Sequence, residues 1–135
     1  MDIKGYQGYQ SYQKQGINDL SQGELLLLLY DELVKRLFRA GLALDKQDFP
    51  LFEASVDRSL EIIRYLDDTL DMQYPISHNL HRLYDYFSFE LQRVKAGRNE
   101  TELERVKKMA GELRDTFREA QKNAESGDAA AGGQS

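Results

Sequence analysis

Apolar positions recur every three or four residues in four stretches, and short polar breaks separate them. The stretches are "LLLLLYDELVKRLFRAGLAL", "LFEASVDRSLEIIRYLDDTL", "HNLHRLYDYFSFELQRVKA" and "ELERVKKMAGELRDTFREAQKN". That spacing is helical, and no alternating apolar pattern calls for a strand. Ser21 and Glu24 form an S-x-x-E capping pattern before the first stretch, and Thr101 and Glu104 repeat it before the fourth. Asp48, with Pro50 in the first turn, caps the second, and Ser77 is the expected cap of the third. Tyr74-Pro75 and Gly97 read as stops. The pattern predicts helices over 22–46, 49–70, 77–96 and 100–124 within a domain spanning 21–125. Short connections make successive helices antiparallel neighbours, so the expected fold is all-α, an up-and-down four-helix bundle. Residues 1–20, with "GYQGYQSYQKQ", read as a flexible Tyr/Gln-rich N-terminal segment. Residues 126–135, "SGDAAAGGQS", read as a disordered tail.

Placing residues at about 100° intervals separates the helices into two kinds. The fourth has one apolar face: Leu103, Val106, Met109, Ala110, Leu113, Phe117 and Ala120. The third adds Tyr86 and Phe89 off the stripe of Leu80, Leu83, Tyr84, Phe87, Leu91 and Val94. The second adds Ile62 and Tyr65 beside Phe52, Val56, Leu60, Ile63, Leu66 and Leu70. Leu25 to Leu29 of the first cover the whole circumference. Singly exposed apolar residues are ordinary. A surplus concentrated on three of the four helices points instead to a groove for another chain, entered by a helix.

Charge narrows the partner. Asp and Glu number 23 against 18 Lys and Arg, a net charge of −5, and no segment concentrates positive charge. Nucleic acid and anionic membranes are therefore not expected partners. Absence of cysteine excludes disulfides and thiolate metal sites. The longest apolar run, Leu25 to Tyr30, is about a third of a membrane span, and the start lacks the apolar core of a signal peptide. A cytosolic protein with no membrane insertion is the expectation.

Candidate chemistry is sparse. His78 and His81 stand at i and i+3, with Asp85 one turn beyond. The spacing could present three metal ligands on one face, but no fourth ligand accompanies them. Phosphotransfer on His81 has no supporting motif in "SHNLHRLYDYF". Asp67, Asp68 and Asp71 read as an acidic loop rather than a cation site. No phosphate-cradling loop or nucleophile elbow occurs. Neither enzyme activity, metal nor cofactor is expected. A structural homo-oligomer that buries the apolar surplus against itself is the rival to partner binding.

Four segments resemble the flagellar secretion chaperone FliS family. "LLLLLYDELVKRL" is similar to the signature of its first long helix. "LEIIRYLDDTLD" followed by "ISHNLHRLYDYF" resembles its central helices, with the family's Asn-Leu and Leu-Tyr-Asp-Tyr positions at Asn79, Leu80 and Leu83 to Tyr86. "LERVKKMAGELRDTFREA" is similar to its last helix. The family often has Thr-x-Ser-Pro-Glu before helix one, Gly after Tyr-Asp and a late Trp; here stand "INDLSQGE", Glu32 and Phe117. The resemblance implies a chaperone for the C-terminal segment of flagellin. It would hold that disordered segment as helices over the bundle and block polymerisation until export, with the flagellar export apparatus as onward partner. Self-association as a weak homodimer is compatible with this role. The residues expected to carry binding are the off-seam Ile62, Tyr65, Tyr86 and Phe89, with Leu25, Leu26 and Tyr30 on the first helix. The motif resemblance adds Asn79, Tyr84 and Asp85. Tyr6, Tyr9 and Tyr12, on a flexible tether, suit a movable cover over the apolar surface when no partner is present.

Overall fold

A computed structural model describes the backbone of residues 21–133, with side chains through Ser126. It is built from four helices: α1 (Gln22–Asp45), α2 (Phe49–Asp68), α3 (Pro75–Gly97) and α4 (Glu100–Gly133). No strand occurs among the described residues. Both α1 and α3 pack against α2 and α4, so the helices form a ring in which α1 lies diagonally across from α3. Interior positions follow the helical spacing. Leu29, Leu33, Leu37 and Ala40 from α1 meet Phe52, Val56, Ile63 and Leu66 from α2 in one core, closed by Phe87, Leu91 and Val94 of α3 and Leu103, Val106 and Ala110 of α4.

The two connections at one end of the bundle are built alike. Gln47 takes the left-handed conformation after α1 (φ 58°), and Arg98 takes it after α3 (φ 52°). An Asx residue follows each and caps the next helix: Leu51 N–H donates to Asp48 Oδ1 at 3.2 Å, and Glu102 N–H to Asn99 Oδ1 at 3.1 Å. At the first turn, Asp48 N–H reaches Ala43 C=O and Gln47 N–H reaches Leu44 C=O, which satisfies the free carbonyls of α1. The Arg98 guanidinium lies 3.5 Å from the centre of the Phe49 ring, a contact that offsets a left-handed residue bearing a Cβ.

Three expectations require correction. Ser77 does not cap α3. That helix starts at Pro75, whose fixed φ suits the first position, and Ser77 is buried within it. Asn99, not Thr101, caps α4, because Arg98 rather than Gly97 takes the left-handed position and shifts the start. Finally, α4 runs on to Gly133, past the expected end at 124 and into the segment expected as a disordered tail. Extending an existing helix needs no new nucleus, and Ala129 to Ala131 favour it. Tyr6, Tyr9 and Tyr12 lie outside the described residues.

The core contains one hydrogen-bonded polar pair from diagonal helices. The hydroxyls of Tyr30 (α1) and Tyr84 (α3) meet in the buried centre, and the Tyr30 ring packs on Phe117 of α4 at 5.0 Å between centroids. Burial pushes both phenols above their ordinary values, so both stay protonated. Removing one hydroxyl strands the other. Tyr30→Phe should lower the unfolding free energy by about 1–3 kcal/mol. The double substitution with Tyr84→Phe should cost less than the two single costs added, as measured by urea denaturation of all four forms.

Candidate functional site

The end opposite the two capped turns is assembled from the start of α1, the end of α2, the start of α3 and the later part of α4. Its connection, Thr69 to Tyr74, is the longest of the three and carries apolar residues. Met72, Tyr74 and Ile76 are 46%, 62% and 59% exposed. Behind them opens a cleft of about 190 Å³. Leu26 and Tyr30 form its α1 wall, Leu66 of α2 and Leu70 of the following connection a second wall, and Leu80, Tyr84 and Phe117 its floor. The cleft sits where the chain enters α1, since Gln22 also lines it.

The expected binding residues divide between interior and surface. Tyr30, Ile62 and Tyr84 are buried and belong to the core. For Ile62 this reverses the expectation. A helix that packs on two neighbours in a ring buries a wider arc than a single seam allows, and α2 contacts both α1 and α3. Leu25, Leu26 and Tyr65 are partly buried against the core. Tyr86 and Phe89 are exposed, as their angles on α3 require, Phe89 at 62%. Asn79 is exposed and accepts from Arg82 at 3.0 Å. The structure brings Leu26, Tyr30 and Tyr84 together at the cleft and places Tyr86 and Phe89 further along α3. Met72, Tyr74 and Ile76 went unnoticed in the sequence because the Tyr74-Pro75 break reads first as a stop. Three large apolar residues within five positions, spanning the connection and the first turn of α3, were the available signal.

One charged cluster flanks this end. His81 Nδ1 lies 2.7 Å from Asp67 Oδ1 on α2, and Nε2 lies 3.4 Å from Asp85 Oδ2 one turn along α3. His78 does not join it; its Nε2 is 3.1 Å from the Met72 carbonyl. Asp67, His81 and Asp85 bring one potential ligand atom each within 4.8 Å. Both imidazole nitrogens face carboxylates, an arrangement that suits an imidazolium donating twice, whereas a metal takes one deprotonated nitrogen. The Asp67 hydrogen bond raises the His81 pKa, with the charges of Asp67 and Asp85 adding to it. A raised folded-state value means the stabilisation is complete below the unfolded value of about 6.5 and disappears as pH rises through the folded value. His81→Gln should therefore lower the urea midpoint at acidic pH and leave it unchanged at alkaline pH. A difference of equal size at every pH would contradict this. The effect is small because His81 is exposed to solvent.

Among the described residues, no helix is long and apolar enough to cross a membrane. Residues 5–124 match the protein family described as flagellar protein FliS. The "Flagellar secretion chaperone FliS" of Bacillus subtilis (strain 168) is 26% identical over 112 residues, covering 83% of this chain and 84% of that relative. The family match takes in α1 to α3 and α4 as far as Ala124, including the cleft and both exposed aromatics of α3. The chain belongs to the FliS family of flagellar proteins.

Proposed function

We propose that this protein is a cytosolic export chaperone that binds the C-terminal segment of flagellin. It keeps that segment from polymerising and hands it on to the flagellar export apparatus. The observation that carries this reading is the exposed apolar surface of a FliS-family bundle: Tyr74 and Ile76 lining the cleft, Met72 exposed in the same connection, and Tyr86 and Phe89 along α3. Its relative in Bacillus subtilis bears the name of a flagellar secretion chaperone, which supports the same role. The surface suits a segment that is disordered when free and lies down as amphipathic helices, with apolar side chains entering at i and i+4. Ordering such a segment offsets much of the gain from burying it, which favours a partner that can be released.

Leu25, Leu26, Tyr65, Asn79, Asp85, Tyr86 and Phe89 are the residues placed to touch flagellin. Tyr30 and Tyr84 act from inside by lining the cleft, and Ile62 acts by filling the core. Calorimetry with a flagellin C-terminal peptide tests the division. Phe89→Ala and Tyr86→Ala should each weaken binding, Phe89→Ala by about tenfold or more, with the helical circular-dichroism signal unchanged. Ile62→Ala should instead lower the unfolding free energy by about 2–5 kcal/mol, because it opens a cavity in the core. Unchanged affinity in both surface variants would overturn the assignment of the groove.

Tyr6, Tyr9 and Tyr12 extend the reading. The chain preceding Ser21 joins α1 beside the cleft, so a tether carrying three tyrosines is placed to cover it until flagellin arrives. Removing residues 1–15 should then change the affinity or association rate for the flagellin peptide, measured by stopped-flow fluorescence. Identical kinetics would rule out a cover.

A further inference from the structure

We propose that the outer seam between α1 and α4 docks an acidic amphipathic helix from a second protein. Val34, Phe38 and Leu42 stand at i, i+4 and i+8, a stripe of about 12 Å on the outer side of α1. Phe38 and Leu42 are 53% and 45% exposed, and the seam they share with α4 is an open groove of about 550 Å³. Lys35 and Arg39 line it from α1, and Lys107 lines it from α4. Lys107 Nζ lies 5.4 Å from the centre of the Phe38 ring. Lys107 and Lys35 each meet a glutamate of their own helix, at 2.9 and 3.8 Å. Arg39 forms no ion pair among the described residues.

An apolar floor between two antiparallel helices accepts a third helix, and cations on its flanks select carboxylates beside that helix's apolar stripe. The groove is lined by Lys35, Arg39 and Lys107 and by no carboxylate. Glu32 and Glu104 pair with the two lysines, but Arg39 leaves the groove positive on a chain of net charge −5. Three cations around an apolar stripe do not make a nucleic-acid or anionic-membrane face on such a chain. Residues 1–20 are not the occupant this charge selects, since Asp2 and Asp19 balance Lys4 and Lys14. The seam lies on α1, diagonally across the ring from α3, so a partner here leaves Tyr86 and Phe89 free. The inference needs no assumption about flagellin.

The test uses the full chain and a fluorescein-labelled synthetic helix with leucines at i, i+4 and i+7 and glutamates on both flanks. A control peptide carries lysines in place of the glutamates. The acidic peptide should bind saturably and more weakly as salt rises, and the lysine version should not bind. Phe38→Ser, Leu42→Ser and Arg39→Glu should each weaken binding by about tenfold. Circular dichroism and affinity for a flagellin C-terminal peptide should stay as in the wild type. Equal binding of both peptides, or indifference to the three substitutions, overturns the proposal. So does a loss of flagellin binding, which would make the seam part of that surface. Self-association abolished by the same substitutions would assign the seam to a second copy and also overturn it.

Discussion

Two phenols set the position of the diagonal helices. Tyr30 and Tyr84 point into a predominantly apolar interior, where an unpaired hydroxyl is costly and a paired one is tolerated. Because α1 and α3 do not pack side by side, their hydroxyls meet only when both helices stand at one particular height and rotation. The same rotation turns Phe117 against Tyr30 and leaves Leu26 and Leu80 lining a cleft rather than filling the core. Hydrophobic burial would tolerate small slips of either helix; the hydrogen bond does not, being directional. The apolar end of the bundle therefore takes its shape from a polar contact.

The two ends differ for a local reason. At the capped end, a left-handed residue and an Asx cap reverse the chain within a few positions and satisfy the freed backbone groups. Little surface there is left unsatisfied. At the other end, α2 stops at Asp68 and α3 begins at Pro75 with no side-chain cap, so the connection is longer and its apolar side chains have no neighbour above them. Both chain directions also leave the bundle at this end, through Ser21 and the late turns of α4. A tightly capped end and an end with a longer, uncapped connection follow from where the turn residues fall.

Much of this was legible in the sequence, and the misses share a cause. Four helices, the Ser21 and Asp48 caps and the outward positions of Tyr86 and Phe89 follow from period and cap chemistry, which are local. Ile62 was misread because the width of a buried arc depends on how many neighbours a helix has, and that is set by the ring, not by the segment. Thr101 was misread because two adjacent candidates compete for one cap, and the left-handed Arg98, stabilised across the turn by Phe49, decides between them. Asp67 entered the His81 cluster from another helix, a pairing that no spacing encodes. Met72, Tyr74 and Ile76 were visible as residues, but the place of Tyr74 and Ile76 in the lining of the cleft comes from packing.

A chain that displays large aromatics must also avoid sticking to itself. Here two exposed phenylalanines of the bundle's long outer faces each have a cation beside them. Arg93 lies 5.9 Å from the centre of the Phe89 ring while also donating to Glu90, and Lys107 lies 5.4 Å from that of Phe38. A cation over a ring gains about 0.5–1 kcal/mol at an exposed site and brings its own water with it. That is enough to shield the ring in the free state, yet a partner contributing buried apolar area at roughly 25 cal/mol per Å² can displace it. Net charge of −5 adds long-range repulsion between copies, which local cations beside the rings do not cancel. Availability to a partner and resistance to self-association are thus compatible: the first depends on short-range contact at a few rings, the second on the charge of the whole chain.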